Sequence, residues 1–403
     1  MRKNIFIISF LFSISSYSQF YPADNGVNHF INAIYCINKD TVFAVGYSNS
    51  IYKTTNGGTS WNLQFSTPSQ FPETQAFRSV FFLNKDTGFV VGSDTSNKGI
   101  IYKTTNGGQN WNLNFDTLGI FTSINFISNE IGFAVDMNVV YKTIDGGNNW
   151  FLLPQSFNNV NYYSKIQFLN DSTGYLGTSG RLYKTTNGGI TWIPIPDFET
   201  AYNTLYFINP DTGFVSYTYG VRRTLDGDAS FTETEYWCTP TAIYFPSDLI
   251  GYIVNYDALN SCSFVVKTSD MGNTWNNVTG YFASEYYYDV FFVNDSIGYI
   301  AGTGIKKTIN GGHITNTNKI LLGKNNLVIF QQGDELVIDF SSNGEDPFTI
   351  EIYDYSGKIL LIKEYNALDN FVHIKSIFFQ SSIYLCRIKN NNQYFSKKFL
   401  FLN

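Results

Sequence analysis

Short apolar runs alternate with polar turns along most of the chain, and the pattern repeats about every forty residues. In the clearest unit, residues 80–83 (Val-Phe-Phe-Leu) lead into an Asn/Asp-rich turn that ends at Gly88, and residues 89–91 (Phe-Val-Val) follow. Such β-branched and aromatic runs predict two strands joined by a hairpin, with the glycine supplying a positive φ. We name these strands A and B.

A second motif completes each unit. It consists of an apolar run ending in Tyr-Lys-Thr, an Asn-Gly-Gly turn and a Trp, which predicts strand C, a tight turn and strand D. Intact copies occupy residues 52–61, 102–111, 141–150 and 183–192, and weaker copies occupy residues 222–231, 266–275 and 306–315. Seven units of four antiparallel strands predict an all-β fold, a seven-bladed β-propeller. The alternative is a parallel β-helix, whose turns are shorter than this period.

The seventh unit lacks the tryptophan, because Thr315 stands at that position and polar residues follow it. Its outer strand is therefore missing from the end of the repeat region. Residues 20–23 (Phe-Tyr-Pro-Ala) lie just before the first strand A, where the outer strand of a preceding blade belongs. We expect this N-terminal segment to complete the last blade.

The motif Thr-x-Asn/Asp-x-Gly-x-x-Trp resembles the Asp box, or BNR repeat, of sialidases, sortilin-type receptors and photosystem II stability-factor-like propellers. We expect a structural role, because an Asn or Asp side chain can hydrogen-bond its own turn and a Trp can fill the space between blades. The alternative, calcium or phosphate sites, offers too few oxygen ligands per turn for calcium. The structural positions are Asn56, Trp61, Asn106, Trp111, Asp145, Trp150, Asn187, Trp192, Asp226, Asp270, Trp275 and Asn310.

The repeat stops after residue 316, and strict alternation from residue 327 onward predicts a small antiparallel, Ig-like β-sandwich. Residues 352–360 (Ile-Tyr-Asp-Tyr-Ser-Gly-Lys-Ile-Leu) and 382–388 (Ser-Ile-Tyr-Leu-Cys-Arg-Ile) resemble the type A sorting domain of type IX secretion in the Bacteroidetes. The resemblance implies a partner, the type IX secretion machinery, and a route through the periplasm and outer membrane to the cell surface or medium. The alternative is an ordinary Ig-like accessory module.

The first residues predict a secretory signal peptide, because Arg2 and Lys3 precede a short apolar stretch at residues 5–14. A buried N-terminal strand is the alternative. No other segment approaches eighteen apolar residues, so no transmembrane helix is predicted. The predicted organisation is a signal peptide at 1–18, a propeller at 19–316, a linker at 317–326 and a sorting domain at 327–403.

Composition narrows the function classes. The net charge of −6 and the lack of a basic run outside the leader argue against nucleic-acid binding. Three histidines and four cysteines without CxxC spacing argue against a zinc site, and we predict no cofactor. Cys238 and Cys262 fall in neighbouring repeats, so they could form a disulfide or remain two thiols.

Both repeated turns should lie on one face of the propeller, and the variable segments should lie on the other. The channel mouth on that second face is the default binding site, because binding residues commonly lie on loops of a rigid scaffold. An aromatic ring there could stack on sugars or peptide side chains, or its members could pack between blades. The candidate ligand-binding residues are Phe77, Arg78, Phe121, Tyr163, Tyr202, Tyr236, Trp237 and Tyr287.

Catalysis is not predicted. A glycosidase needs two paired carboxylates, and nothing in the sequence pairs those on the variable segments. These carboxylates are Asp136, Asp197, Glu199, Glu233, Glu235 and Asp257. We therefore expect an exported, non-enzymatic propeller that binds a glycan or a protein at the cell surface. The alternatives are a sialidase-like glycoside hydrolase of the Asp-box type and an assembly scaffold.

Overall fold

The computed structural model describes residues 20–67, 75–157, 165–178, 180–196, 204–217, 220–227, 229–235, 238–258, 261–279 and 281–312, and seven strands between residues 328 and 401. The chain forms two compact units, of which one spans Ser18–Gly312 and the other contains the C-terminal strands. All regular elements among the described residues are β-strands. No described helix has the length and apolar character needed to span a membrane.

The first unit is a seven-bladed β-propeller, as the repeat predicts. Blades 1 to 3 comprise β2–β5 (Ile31–Cys36, Val42–Gly46, Ser50–Thr54, Asn62–Phe65), β6–β9 (Ala76–Phe82, Gly88–Ser93, Gly99–Thr104, Asn112–Thr117) and β10–β13 (Ser123–Phe126, Gly132–Val135, Val139–Thr143, Phe151–Ser156). Blades 4 and 5 comprise β14–β17 (Lys165–Phe168, Gly174–Gly177, Leu182–Thr185, Ile193–Pro194) and β18–β21 (Leu205–Phe207, Gly213–Tyr217, Gly220–Thr224, Thr232–Glu235). Blade 6 comprises β22–β26 (Thr239–Tyr244, Gly251–Asp257, Cys262–Thr268, Asn276–Asn277, Phe282–Ala283), and blade 7 begins with β27–β29 (Tyr287–Phe292, Gly298–Gly302, Ile305–Thr308).

The N-terminal segment completes the seventh blade, which confirms the prediction for residues 20–23. Strand β1 (Tyr21–Pro22) pairs antiparallel with β29, so that Tyr21 lies opposite Lys307. Phe20 is 2% exposed and meets the ring of Phe292 edge to face at 6.4 Å. It therefore occupies the place that a tryptophan takes in five of the other blades and Phe231 takes in blade 5.

Stacked aromatic rings fill the spaces between blades. Phe43 of strand B in blade 1 stacks on Phe82 of strand A in blade 2 at a centroid distance of 4.3 Å. Trp111 meets both rings edge to face, at 6.3 and 5.9 Å. The same stack of a strand-B ring on the next strand-A ring recurs for Phe89–Phe126, Phe133–Phe168, Tyr175–Phe207, Phe214–Phe245 and Tyr252–Phe292. We call this arrangement the blade seam.

The glycine that begins strand B has a different role from the predicted one. Gly88 is absent from the residues with positive φ, so the hairpin does not depend on a left-handed backbone there. A Cβ atom at this position would instead overlap the ring of Phe82. The glycine is needed because the seam ring lies directly against the backbone, and the same contact recurs at Gly132, Gly174, Gly213, Gly251 and Gly298.

The Asn-Gly-Gly turns are held by a repeated hydrogen-bond network. In the first copy, Thr54 donates to Asn56 Oδ1 at 2.9 Å and accepts from the Gly58 N–H at 3.0 Å, and Asn56 Oδ1 also accepts from the Ser60 N–H. Both glycines of this turn have positive φ. The Gly57 N–H also donates to the carbonyl of Asp40 in the A–B turn, so the two turns of a blade lie on one face.

In five blades a cation on strand C links the seam to the turn of the next blade. Lys53 donates to the carbonyl oxygen of Gly107 in blade 2 at 2.7 Å and lies over the Phe43 ring. Lys307 of blade 7 makes the equivalent bond to Gly57 of blade 1, also at 2.7 Å, and so joins the two ends of the ring. Equivalent bonds run from Lys103 to Gly146, from Arg223 to Met271 and from Lys267 to Gly311.

The closing seam between blades 7 and 1 is built differently. Tyr299 stands at the strand-B position, but its neighbour at the strand-A position is Cys36 rather than a phenylalanine. Trp61 packs in the same cluster and donates its indole N–H to the carbonyl of Ala23. The residues that close the ring thus come from the N-terminal segment as well as from the repeats.

The second unit is all-β, as the alternation predicts, and forms two antiparallel sheets. One has the order β30-β31-β34 and the other β33-β32-β35-β36. Ile350 and Ile352 of β32 are fully buried, which places one face of the larger sheet in a core. The strands are β30–β36 (Val328–Gln332, Glu335–Asp339, Phe348–Tyr353, Ile359–Tyr365, Phe371–Lys375, Ser382–Asn390, Gln393–Phe401).

Candidate ligand-binding channel

The innermost strands of all seven blades surround a central cavity of about 770 Å³. Strand A supplies most of the wall, because it is the first strand of each blade and packs against strand A of its neighbours. Tyr256 and Tyr286 extend the wall beyond strand A in blades 6 and 7. A cavity of this volume falls in the range of small-molecule and side-chain binding sites.

One position of strand A forms a ring around the channel. It is occupied in blade order by Tyr35, Phe81, Asn125, Gln167, Tyr206, Tyr244 and Phe291, all of them half-buried. The five aromatic members are contiguous, with centroid distances of 5.6 Å for Tyr206–Tyr244, 4.7 Å for Tyr244–Phe291, 4.9 Å for Phe291–Tyr35 and 5.5 Å for Tyr35–Phe81. We call this set the channel ring.

Most polar side chains of the wall are already bonded to the fold. Gln167 donates to the carbonyl of Phe207 and accepts from the N–H of the same residue, both at 2.8 Å. Asn125 accepts from a backbone N–H, and Asn32 and Thr241 donate to backbone carbonyls. These amides and hydroxyls position strand A and leave little hydrogen-bonding capacity for a ligand.

Among the described residues, three charged side chains line the cavity: Arg78, Lys165 and Asp289. Asp289 accepts from the N–H groups of Ile34 and Val290, at 2.9 and 3.0 Å. Burial raises the pKa of Asp289 above its ordinary value, although Lys165 and the two N–H groups act in the opposite direction. The wall therefore carries more positive than negative charge.

The aromatic side chains of the mouth come from blades 6, 7 and 1. The rings of Tyr256 and Tyr286 are 5.1 Å apart, and Tyr288 is 41% exposed beside Phe30. Arg78 and Lys165 belong to blades 2 and 4. The mouth thus combines an aromatic sector with a cationic one.

Three of the predicted ligand-binding aromatics are core residues. Phe77 and Phe121 are fully buried and Tyr287 is 2% exposed, each in a hydrophobic cluster between blades. Their burial agrees with the alternative that these residues pack between blades, although Tyr287 also contributes to the cavity lining. Arg78 does line the channel. Tyr163, Tyr202, Tyr236 and Trp237 lie outside the described residues.

The sequence interpretation missed the channel ring itself. Its members lie in the strand-A motif, directly before the seam residue, as Phe81 lies before Phe82. Successive side chains of a strand face opposite sides, so one of each pair must point away from the seam. The sequence feature that could have revealed the channel ring is the variety of residue types at this position. It holds Asn125 and Gln167 in two blades, whereas the next position is apolar in every blade.

Two of the described candidate carboxylates have partners within the fold. Asp136 is buried and accepts from the N–H groups of Asn138 and Val139, which is a turn-forming role. Glu233 forms an ion pair with Arg222 across the two outer strands of blade 5. Asp257 lies at the end of strand B in blade 6. Asp197 and Glu199, and the side chain of Glu235, lie outside the described residues.

One described tyrosine of the propeller has a glutamate partner, which the sequence did not reveal. Tyr287 donates its hydroxyl to Glu285 at 2.8 Å, and Lys306 forms an ion pair with the same glutamate at 3.1 Å. Burial, and then the charge of Glu285, raise the pKa of Tyr287 well above its ordinary value. A buried phenol with a raised pKa is a poor nucleophile, so this pair does not reproduce a tyrosine-based glycosidase site.

Of the two alternatives for Cys238 and Cys262, the structure has two buried thiols and not a disulfide. Cys238 precedes Thr239 of β22, and Cys262 begins β24 in the same blade, with β23 between them. Two strand spacings amount to about 10 Å, beyond the Cα separation that a disulfide spans. Burial raises the pKa of Cys238 to about 12, and Asp257 adds to the shift.

Among the described residues, no group of three or more His, Cys, Asp or Glu side chains could hold a metal.

Comparison with known families identifies the C-terminal unit. Residues 332–401 match the family model described as the secretion system C-terminal sorting domain. The protein therefore carries a type IX sorting signal, which implies interaction with that secretion machinery and export to the cell surface or the medium. No curated protein matches the chain in sequence.

Comparison with solved structures supports the propeller fold. A structure described as YCF48 bound to D1 peptide has a TM-score of 0.59 at 17% identity, over 73% of this chain and 97% of that one. YCF48 from Cyanidioschyzon merolae gives 0.58 at 15% identity, over 72% and 98%. The GH74 xyloglucanase from Xanthomonas campestris gives 0.59 at 8% identity, over 80% and 65%. At these identities the likeness extends to the fold only.

Proposed function

We propose that this exported protein is a non-enzymatic binding protein whose propeller recognises a glycan or a protein at the cell surface through the channel mouth. The observation that carries the proposal is the cavity of about 770 Å³ lined by five contiguous aromatic rings. Accessible aromatic faces in a preformed cavity bury area on binding with little loss of side-chain entropy.

The chemistry of the wall supports binding over catalysis. Asp289 is the carboxylate that the cavity lining contributes, and its two backbone bonds hold it against the wall. An acid–base pair needs a second carboxylate at about 5–10 Å with room for substrate between the two. The fold is shared with a YCF48 that is described as bound to a peptide and with a xyloglucanase, so both kinds of ligand belong in the test.

The test is a binding screen of the mature full-length protein against a glycan panel and against proteins extracted from bacterial surfaces, run beside a glycosidase panel. We expect binding without turnover, and we expect Tyr288→Ala to weaken it. The matched control is Tyr281→Ala, since Tyr281 is 66% exposed and packs against Phe264 away from the cavity. Release of reducing sugar by the wild-type protein would contradict the proposal, and so would equal binding by the two variants.

A further inference from the structure

The hydrogen-bonding groups of the channel wall discriminate between the two ligand classes. The amides of Asn32, Asn125 and Gln167 are bonded to backbone groups of their own or the next blade. The hydroxyls of Tyr35 and Tyr206 in the channel ring likewise donate to the backbone carbonyls of Phe82 and Phe245, each at 3.0 Å. A sugar hydroxyl that faced one of these bonded groups would gain little hydrogen bonding there and would carry a desolvation cost.

Two polar side chains of the wall, Lys165 and Tyr244, differ from these amides and hydroxyls because neither has a described side-chain hydrogen bond. Lys165 has no hydrogen bond or ion pair within the described part of the chain, although its charge acts on Asp289. Tyr244 is the tyrosine of the channel ring whose hydroxyl lacks a described hydrogen bond. The remaining accessible surface of the ring consists of aromatic faces and edges, which pair with a planar or large apolar group rather than with a hydroxyl-rich one.

Resting on the proposed function, we propose that the channel binds a protein segment, which inserts an aromatic side chain against the channel ring and places a neighbouring carboxylate on Lys165. The inserted ring buries a large apolar area against Tyr244 and Phe291 and needs few hydrogen bonds. A carboxylate of the same segment forms a charge-assisted bond with the ammonium group, and Arg78 adds to the positive potential.

The experiment selects peptide ligands from a random sequence pool, so that the partner itself need not be identified. A random heptapeptide library is panned against the immobilised mature full-length protein, and selected peptides are measured in solution by titration calorimetry. We expect the selected peptides to share an aromatic residue with Asp or Glu one or two positions away. Replacing the aromatic residue by Ala should lower affinity about tenfold or more.

Paired variants locate the site. Lys165→Gln should weaken binding several-fold at low salt and remove most of the salt dependence. Lys85→Gln is the matched control, because Lys85 is an exposed lysine on the turn face and pairs with Asp86. Tyr244→Phe keeps the ring and removes the available hydroxyl, so it should change affinity less than Tyr288→Ala, which removes an aromatic face of the mouth. Circular dichroism confirms that each variant is folded.

The outcomes separate this inference from the proposed function. Peptides without an aromatic residue, or peptides that bind wild-type and Lys165→Gln protein with the same salt dependence, would overturn the inference. Binding of a glycan that Tyr288→Ala abolishes would overturn it as well, while leaving the channel as a binding site. Absence of both peptide and glycan binding would overturn the inference and the proposed function together.

Discussion

Phe81 and Phe82 are consecutive residues of one strand, but they belong to two regions with different constraints. Phe82 faces the seam, where it stacks on Phe43 at 4.3 Å and meets Trp111. Phe81 faces the channel, where it is half-buried beside Tyr35. The seam position is aromatic in six blades and cysteine in one, whereas the channel position ranges from Phe to Gln. The seam residue is enclosed between two blades, whereas the channel residue contacts the next blade on one side and the cavity on the other, which tolerates more variety.

The largest effect should follow from opening a regular seam. Trp111→Ala removes a buried ring that contacts Phe43 and Phe82, and we expect the free energy of unfolding to fall by about 3–5 kcal/mol. Urea denaturation followed by fluorescence measures the change. Leu113→Ala, at an exposed position of the adjacent strand, is the control and should have little effect. A loss below about 1 kcal/mol for Trp111→Ala would show that the seam does not depend on this ring.

The closing blade tests whether an N-terminal residue can replace a seam tryptophan. Phe20→Ala should lower the free energy of unfolding by about 3 kcal/mol, because Phe20 is buried against Phe292. Tyr21→Ala, at the next and 41% exposed position, should be close to neutral. The same urea titration reports both changes. Equal effects of the two substitutions would mean that the segment adds strand pairing but no core.

Removing a strand-C cation should cost less than removing a seam ring. Lys53→Met keeps the aliphatic contact with Phe43 but leaves the Gly107 carbonyl without its charged donor, so we expect a loss of about 1.5–3 kcal/mol. Lys307→Met should have a similar effect at the closing seam. Thermal unfolding of the two variants, with Lys85→Met as an exposed control, measures this. A neutral Lys307→Met would show that closure relies on the N-terminal segment alone.

The turns differ from one another in their response to acid. Hydrogen bonds from Asn149 lower the pKa of Asp145 to about 2, and those from Thr274 lower the pKa of Asp270 to about 2. A depressed folded-state pKa contributes stability above the unfolded-state value near 4, and this contribution is lost as pH falls towards 2. Asp145→Asn should therefore reduce the loss of stability between about pH 4 and pH 2, whereas Asn106→Ala should leave its pH dependence unchanged. Acid titration of thermal stability checks both, and an unaltered profile for Asp145→Asn would contradict the expectation.

The smallest effect on stability should come from the channel side of the comparison. Tyr288→Ala should lower the free energy of unfolding by about 1 kcal/mol or less, because the side chain is 41% exposed at the mouth. The same substitution should weaken ligand binding, as proposed above. A large loss of stability would show that the mouth is part of the core rather than a surface shaped for a ligand.

The repeat period constrains certain features of the fold, and these are the features that the sequence predicts. Each Trp and each Asn-Gly-Gly turn recurs at a fixed offset, so blade number, strand order and the missing strand after Thr315 can be inferred from one chain. The role of Gly88 could not be inferred in this way. The ring of Phe82, and not the backbone angle of Gly88 itself, restricts this position to glycine.

The candidate site was less predictable for a physical reason. Whether an aromatic residue of strand A enters the seam or the channel depends on the pleat and on a register shift between Phe77 and Ser79. The sequence leaves open whether Phe77 lies at the mouth or between blades, and it lies in the core; the sequence does not single out Tyr244, which lines the channel. The distance between Cys238 and Cys262 was unpredictable for a similar reason. Their spacing along the chain does not indicate that a strand lies between them in the sheet.

The pairing of Tyr21 with Lys307 sets an order of events during biogenesis. The first propeller residues to be synthesised are among the last to find their partners, because some 290 residues must emerge before strand β29 exists. Until then the aromatic pocket for Phe20 has no strand to cover it, and the unfinished ring is a target for chaperones and proteases. The sorting domain follows β29 in the chain. A polypeptide that presents its export signal therefore already contains every strand required to close the ring.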